Sequence, residues 1–317
     1  MKAITTKEYG DVDVLQLENV ATPTINEDEI LVEVKAASIN PLDWRIRTGE
    51  MKVMTGKTPP RILGSDYAGV VSEAGKNITN YKKGDEVFGL IDIVKVKEGA
   101  YAEFIKVTEN DISKKPTNTS FEEAASLPMV AVTSYTALAT IANAKKGSNV
   151  LINGCAGGVG SAAVQIAKSL GCKTTGVCST KDIEFAKNLG ADVVIDYKNE
   201  NVLNRDEAYD IIFDTVGNLV FSQSKNILKS KGVYVTTAVT ISAMLFSSLA
   251  NLFRSKKFKL VMTKPDASIL TIIKQMAEKG ELKGQISKTF NLDQIKEAHQ
   301  MSEKGGFNGK LVLKINE

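Results

Sequence analysis

The 317-residue sequence contains one histidine and three cysteines, so the usual zinc ligands are scarce. Cys155, Cys172 and Cys178 form no CxxC pair and no even-numbered framework. These absences disfavour a zinc finger, a disulfide scaffold and a catalytic Cys–His pair, and they favour a reduced cytoplasmic setting. The histidine, His299, lies in a predicted amphipathic helix, where a surface or packing role is favoured over metal binding.

The sequence also lacks a strong net charge and a long apolar run. Its formal net charge of +3 is too small to argue for nucleic acid as a partner. The longest apolar stretch, residues 241–253, is too short and too polar to cross a bilayer, and residues 1–10 have no apolar signal core. The apolar fraction of 43% is that of an ordinary globular protein, and the length allows two domains.

Residues 149–168 carry the most informative motif. They read NVLINGCAGGVGSAAVQIAK, which is a short apolar run, a glycine-rich turn and then apolar residues at helical spacing. A strand, tight turn and helix in this order open a βαβ unit, whose helix N-terminus binds a pyrophosphate. The alternative is a glycine-rich turn in an α/β protein that binds no ligand. The residues predicted to bind the dinucleotide here are Gly157, Gly158, Val159 and Gly160.

The pattern of predicted elements divides the chain. Residues 1–120 contain short strands separated by glycine and proline, which is typical of a small barrel-like domain. From residue 149 to about 263, strands and helices alternate as in a doubly wound parallel sheet, so the fold class is α/β. The C-terminal tail is too small for its own core, and we expect it to return to the first domain. The predicted domains are 1–122 with 266–317, and 123–265.

Four segments, in the same order, resemble motifs of one enzyme family. They read SINPLDWRIRTG, GSDYAGVVSEAGKNITNYKKGDEVFG, AGGVGSAAVQIAK and LGADVVIDYKNE. The chain resembles the zinc-free medium-chain dehydrogenases/reductases, and within them the NADPH:quinone oxidoreductase group, which is zeta-crystallin-like and includes plant enone oxidoreductases and chloroplast-envelope quinone oxidoreductase homologues. The resemblance implies a GroES-like catalytic domain, a Rossmann domain and a homodimer or homotetramer. It also implies reduction of quinones or α,β-unsaturated carbonyls by NADPH.

The resemblance also bears on metals and on the proton donor. Zinc alcohol dehydrogenases of this superfamily have a cysteine at the position of Asn40 and a histidine in the motif that here reads GSD at 64–66. They also have a four-cysteine lobe that this sequence lacks. We therefore expect no metal and no obligatory protein general acid. The competing hypothesis is that Tyr67 or Tyr135 donates a proton.

The end of the second predicted Rossmann strand indicates which nicotinamide cofactor is bound. Folds that select NAD place an acid there, whereas this chain reads Ser179-Thr180-Lys181. Two hydroxyls and an ammonium suit a 2′-phosphate, and the nearest acid, Asp182, fits the first turn of a helix. By resemblance Tyr197 lies against the 2′-phosphate, although a plain edge position is the alternative. The sequence therefore predicts NADPH as the cofactor.

The resemblance assigns three residues to catalysis. Asn40 and Asp43 match the Asn-x-x-Asp motif that the family places at the nicotinamide. Thr133 matches a threonine near the carboxamide. For Asn40 and Asp43 the alternative is that they only cap a turn before a short helix.

Four further residues are assigned to cofactor binding by the same resemblance. Arg45 takes a position that is tyrosine in the zeta-crystallin branch and basic in the enone-reductase branch, so a phosphate-directed role is favoured. Val239 would lie beside the nicotinamide ring. Asn308 and Lys310 would close the site from the C-terminal tail.

Two alternatives to a quinone or enone reductase stay open. A 2-enoyl thioester reductase shares the fold and the cofactor but needs a longer acyl pocket. Residues 241–253 could line such a pocket, or form a dimer or membrane-contact surface. The other alternative is a non-enzymatic NADPH-binding protein, crystallin-like or RNA-associated, and turnover of 1,4-benzoquinone against RNA binding would separate it from an enzyme.

Overall fold

The computed structural model describes residues 1–59, 61–238 and 255–315, and the elements below are numbered in chain order over these residues. The backbone groups into two compact units, Met1–Val132 with Lys264–Glu317, and Thr133–Thr263. Val239 and the apolar stretch 241–253 lie outside the described residues. Among the described residues, no helix is long and apolar enough to cross a membrane.

The first unit is rich in β-structure. Its strands are β1 (Lys2–Thr5), β2 (Gln16–Asn19), β3 (Ile30–Ile39), β4 (Asp66–Ala74), β5 (Glu86–Leu90), β6 (Phe104–Val107), β7 (Ile112–Lys114), β14 (Ile286–Asn291) and β15 (Lys310–Lys314). The larger sheet has the order β14-β15-β3-β4-β5-β7, with β6 also paired to β3, while β1 and β2 form a separate pair. β15 runs antiparallel to β3, with Leu311 opposite Ile39. The C-terminal tail thus pairs with the sheet of the N-terminal region.

Six α-helices are described in whole or in part within this unit, besides short 3-10 turns. They are α1 (Pro41–Thr48), α2 (Lys52–Thr55), α3 (Phe121–Ala125), α4 (Pro128–Tyr135), α8 (Ala267–Glu278) and α9 (Ile295–Lys304). Local sequence explains the limits of α1. Pro41 occupies its first turn, where a missing N–H costs nothing, and Gly49 ends it with a φ of 87° that a side chain would disfavour. α1 therefore begins directly after Asn40.

The second unit is a doubly wound parallel sheet, which confirms the predicted Rossmann fold. Its strands are β8 (Asn149–Asn153), β9 (Lys173–Cys178), β10 (Val193–Asp196), β11 (Tyr209–Asp214), β12 (Leu228–Thr236) and β13 (Lys257–Leu260). The order is β10-β9-β8-β11-β12-β13, and all the pairings are parallel. The order reverses between β8 and β11, where ligands bind in folds of this type. The helices are α5 (Gly158–Ser169), α6 (Ile183–Asn188) and α7 (Phe221–Ser224).

Candidate functional site

The glycine-rich turn lies between β8 and α5, as the sequence predicts. Gly154 leaves the strand with a φ of +80°. A Cβ on Gly160 would stand 2.1 Å from the carbonyl oxygen of Gly154, so only glycine lets α5 pack this closely on the turn. At Gly157, by contrast, a Cβ would meet its nearest described atom at 3.6 Å. The turn is therefore tight beneath the helix and open at its N-terminus.

The N-terminus of α5 fits a pyrophosphate. Gly157 is the N-cap residue and supplies no side-chain hydrogen bond, and Gly157, Gly158 and Val159 are half-buried. The first N–H groups of a helix have no partner within the helix and carry a partial positive charge. A ligand phosphate can provide the cap that the sequence omits. The four residues predicted from the glycine motif thus come together in one cradle that suits a dinucleotide.

A polar network at the carboxyl ends of β8 and β11 was missed from the sequence. The Asn153 side-chain amide donates to Oδ1 of Asp214 and to Oδ1 of Asn218, at 2.7 Å in both cases. The Asp214 carboxylate also accepts from the backbone of Val216, Gly217 and Leu219. The signal was present, because Asn153 and Asp214 are the polar residues that end two apolar strands. They fix the two strand ends at which the sheet order reverses.

The structure brings the predicted 2′-phosphate residues to neighbouring strand ends. Cys178 at the end of β9 is paired with Asp196 at the end of β10, and the Tyr197 N–H donates to the Cys178 carbonyl at 3.1 Å. Ser179, Thr180 and Lys181 follow β9 directly. The side chains of Thr180, Lys181 and Tyr197 are exposed, with 60% of the tyrosine accessible.

The hydroxyls of Ser179 and Thr180 donate hydrogen bonds to two carboxylates, which the sequence did not indicate. Ser179 Oγ donates to Asp182 Oδ2 at 2.5 Å, and Thr180 Oγ1 donates to Asp196 Oδ2 at 2.6 Å. The Thr180 hydroxyl and the backbone N–H of Lys198 hold the pKa of Asp196 below its ordinary value. A hydroxyl has a single hydrogen, so the Ser179 and Thr180 hydroxyls cannot donate to a phosphate while they donate to these carboxylates.

The first unit contains a buried polar cluster around Asn40, at the junction of β3 and α1. Lys310 Nζ donates to the carbonyl of Ile39 at 3.0 Å, to Asn40 Oδ1 at 2.5 Å and to Asp66 Oδ2 at 3.3 Å. The Asn40 amide in turn donates to Asp66 Oδ2 at 2.9 Å. The Lys310 side chain is 5% exposed and the Asp66 side chain 0%. Burial lowers the pKa of Lys310, while Asp66 and Asp43 oppose that effect.

Asp66 is the centre of this cluster and was not among the predicted site residues. Besides Lys310 and Asn40, its Oδ2 accepts from Ser38 Oγ at 2.7 Å, and its Oδ1 accepts from the N–H of Met129 at 2.7 Å. The carboxylate therefore joins β3, β4, β15 and the first turn of α4. Its sequence signal was its place in the GSD motif, where zinc members of the superfamily carry a metal ligand.

Asp43 has the geometry of a helix cap. Its Oδ2 accepts from the backbone N–H of Asn40 at 2.7 Å and from the hydroxyl of Tyr101 at 2.8 Å. Desolvation raises the pKa of Asp43 to about 7, although the Asn40 N–H, Tyr101 and Lys310 each favour the charged form. The capping alternative for Asp43 thus has direct hydrogen-bond support, and Tyr101 is a partner that sequence reasoning missed.

Several polar atoms near this cluster are buried without a partner among the described residues. They include Asp43 Oδ1, Trp44 Nε1 and Ser65 Oγ. A buried unpaired polar atom is costly, and in native proteins it commonly marks a place for water or a ligand. These three lie on the segments that carry the Asn-x-x-Asp and GSD motifs.

The remaining predicted residues are dispersed. Arg45 is 51% exposed on α1, lies 5.4 Å above the Trp44 ring and has a weak ion pair with Glu50 at 3.9 Å. Asn308 is half-buried in the turn before β15. Thr133 is buried in the second unit, and its Oγ1 lies 2.5 Å from Oγ1 of Thr263.

Two other residues raised by the sequence lie in the core of the first unit. His299 is fully buried on α9, and its ring meets that of Tyr101 edge to face at 5.9 Å, so the packing role is correct. Tyr67, one of the two candidate proton donors, is also fully buried and donates its hydroxyl to the carbonyl of Asp111 at 3.1 Å. The hydroxyl of Tyr67 is therefore already used within the core.

Comparison with known proteins agrees with this architecture. A family model described as alcohol dehydrogenase GroES-like domain matches residues 26–117, and one described as zinc-binding dehydrogenase matches residues 189–313. The chain is 36% identical to the 2-methylene-furan-3-one reductase of Solanum lycopersicum, with 99% of this chain and 79% of that protein covered. It is 32% identical to the chloroplastic NADPH-dependent alkenal/one oxidoreductase of Arabidopsis thaliana, with the same 99% and 79% coverage.

A solved structure agrees as well. The structure of the quinone oxidoreductase from Coxiella burnetii matches with a TM-score of 0.89 and 32% identity, covering 100% of this chain and 99% of that one. A GroES-like domain and a Rossmann domain in one chain define an oxidoreductase of the nicotinamide-dependent, alcohol-dehydrogenase type. The chain belongs to the medium-chain dehydrogenase/reductase family, in its quinone and enone oxidoreductase group. In the part of the chain that the structure describes, no group of three or more His, Cys, Asp or Glu residues could hold a metal.

Proposed function

We propose that the protein is an NADPH-dependent, zinc-independent reductase of quinones or α,β-unsaturated carbonyls. The observation that carries this proposal is the Lys310 ammonium, which bonds to both Asn40 and Asp66. Asn40 and the motif that contains Asp66 are the places where zinc members of the superfamily have ligands. An ammonium that already neutralises Asp66 and occupies the amide oxygen of Asn40 leaves a poor donor set for zinc. The relatives named for alkenal/one, furanone and quinone substrates support the substrate class.

The cofactor proposal rests on two places in the second unit. The open N-terminus of α5 at Gly157, Gly158 and Val159 suits the pyrophosphate, and Lys181 with Tyr197 suits the 2′-phosphate. Arg45, Thr133, Val239 and Asn308 remain further proposed contacts, whereas the Lys310 ammonium already has three oxygen acceptors and would act on the site indirectly. When bound, NADPH supplies a hydride to an electron-poor carbon of the acceptor. The residues of the chain bind and orient the reactants, which is a large part of what an oxidoreductase protein contributes.

The proposed substrate class follows from how negative charge is accommodated. A quinone or an enone delocalises the incoming charge onto oxygen, and the product can then take a proton from solvent. A saturated ketone would produce a localised alkoxide, which enzymes stabilise with a metal or a positioned donor. Asn40 offers an amide N–H, which suffices for a delocalised charge. We therefore propose enones and quinones as substrates, and not simple ketones.

The test compares an enone with its saturated ketone at equal concentration while NADPH absorbance is followed. We expect turnover of the enone and of 1,4-benzoquinone and negligible turnover of the ketone. Tyr135→Phe is compared with wild type, and Tyr67→Phe serves as its buried control; both should keep kcat within about threefold. Rapid ketone reduction, or a loss of roughly 100-fold (about 2.7 kcal/mol) in Tyr135→Phe, would contradict the proposal.

Further features of the proposal are the cellular setting and the assembly. We propose a cytoplasmic setting, since the three cysteines are free and buried, and a homodimer or homotetramer by family resemblance. Sedimentation of the purified protein tests the assembly. A 2-enoyl thioester reductase is the second candidate, and crotonyl thioester added to the same assay distinguishes it. RNA binding at physiological salt without any turnover would favour the non-enzymatic alternative.

A further inference from the structure

The ammonium of Lys310 is surrounded by oxygen atoms, as a bound cation would be. Its ammonium has three N–H groups, and each has an oxygen acceptor: the Ile39 carbonyl, Asn40 Oδ1 and Asp66 Oδ2 at 3.0, 2.5 and 3.3 Å. These acceptors come from the end of β3, the N-cap of α1 and the start of β4. Because all three N–H groups are used, Lys310 has no hydrogen left with which to contact a substrate directly.

The same contacts fix the orientation of the Asn40 side chain. An asparagine amide can be rotated by 180° with little change in shape, so its hydrogen bonds decide which end is oxygen. Here one end receives a hydrogen bond from an ammonium and the other donates to a carboxylate. Rotation would place the amide NH₂ against Lys310 and the amide oxygen against Asp66, and both contacts would be repulsive. The charges on Lys310 and Asp66 thus permit one orientation only.

The fixed amide has one unused donor. The Asn40 Nδ2 carries two hydrogens, of which one bonds to Asp66. Among the described residues, no acceptor is found for the second. The adjacent segments contain further unpaired polar atoms, Trp44 Nε1 and Ser65 Oγ. A ligand that reaches this cluster therefore meets a donor whose direction is set in advance.

We propose that Lys310 is a positioning residue that serves as a built-in cation: its ion pair with Asp66 fixes the Asn40 amide so that the second Nδ2–H donates to an oxygen of the bound ligand. This inference rests on the proposed function and deepens it. The ammonium takes over, through Asn40, part of the electrostatic role that a metal has in zinc members of the superfamily. Pre-orientation of the donor avoids the cost of arranging it during the reaction.

A double variant separates positioning from folding. Removing one buried charge alone leaves the other uncompensated, whereas removing both together is often tolerated. We therefore compare wild type with Lys310→Met/Asp66→Asn, which removes both charges and approximately keeps the shapes of the two side chains. The expected result is an unchanged melting temperature and NADPH affinity, and a kcat for benzoquinone lower by at least about tenfold, since an oriented donor contributes that much or more. KM should change less than kcat, because the donor is needed as charge develops.

Chemical rescue gives a second readout. Lys310→Ala removes three methylene groups and the ammonium, so n-propylammonium contains the missing atoms. In samples of Lys310→Ala shown by circular dichroism to be folded, n-propylammonium should restore kcat. Tetramethylammonium, which has the same charge but no N–H group, should not. Lys115→Ala is the matched control, because Lys115 is also buried and donates to the carbonyls of Pro116 and Thr119 at 3.1 and 2.6 Å. Its kcat should be unaffected and insensitive to both amines.

The outcomes distinguish the two proposals. An active wild type with an equally active double variant overturns the positioning role of Lys310 and leaves the proposed function intact. If the double variant does not fold, the rescue experiment decides: restoration by n-propylammonium alone supports the role, and equal effects of both cations, or of neither, overturn it. A wild type that reduces neither quinones nor enones overturns the proposed function and this inference together.

Discussion

His299 should make the protein sensitive to mild acid. The imidazole is fully buried on α9, and neither ring nitrogen has a hydrogen-bond partner among the described residues. Desolvation, together with the nearby charge of Arg47, lowers its pKa from 6.5 to about 3. The folded protein therefore keeps a neutral imidazole at a pH at which the unfolded chain is already protonated. Its contribution to stability is complete above pH 6.5 and is lost as the pH falls from there toward 3.

The size of the effect follows from linkage. Each pH unit between the two pKa values costs about 1.4 kcal/mol of unfolding free energy for one proton. Between pH 6.5 and pH 5 the loss assigned to His299 is therefore about 2 kcal/mol. Asp43 titrates in the opposite sense, because burial raises its pKa to about 7 and the folded state takes up a proton as the pH falls. The pH dependence of the wild type combines both groups, so only a difference between variants isolates His299.

The assay is urea unfolding of wild type and His299→Leu at pH 7.5 and at pH 5. Leucine has a similar size and no titrating group, but it loses the edge-to-face contact with Tyr101. We expect the variant to gain about 2 kcal/mol relative to wild type between the two pH values, whatever its stability at pH 7.5. Met301→Leu on the same helix is the control and should show no such gain. Parallel pH profiles for wild type and His299→Leu would refute the reasoning.

Three further predictions concern the cofactor and metals. Gly160→Ala should lower the melting temperature, because its Cβ would stand 2.1 Å from the Gly154 carbonyl oxygen. Gly157→Ala, whose Cβ would have 3.6 Å of clearance, should fold normally and only weaken NADPH binding. Thermal melts and cofactor fluorescence check both variants, and equal melting temperatures would contradict the packing argument. Lys181→Glu should weaken the binding of NADPH roughly 10- to 100-fold, which is what the loss of one charged hydrogen bond costs, and should change the binding of NADH little. Equal affinity of the wild type for the two cofactors would disprove the 2′-phosphate assignment. Elemental analysis should find far less than one zinc per chain with activity unaffected by chelator, and stoichiometric zinc lost together with activity would show the opposite.

The sequence by itself determined the Rossmann half in some detail. The glycines after a short apolar run required a tight strand-to-helix turn, and Gly160 is in fact too close to the Gly154 carbonyl for any side chain. The alternating strands and helices up to about residue 263 required a parallel sheet, because each crossover returns the chain in the same direction. Both signals are local: they depend on residues within one βαβ unit, so they can be found without knowing the fold.

Only the tertiary structure decided what Asn40 and Lys310 do. The partners of Lys310 lie 244 to 271 residues away in sequence, and the antiparallel pairing of β15 with β3 is what brings them together. No local pattern marks Asp66 as the buried partner of that ammonium, nor Tyr101 as the partner of Asp43. A lysine in a sequence is ordinarily a solvated charge. It becomes a buried ion-pair partner only where distant strands supply enough oxygen atoms to replace the water that burial removes.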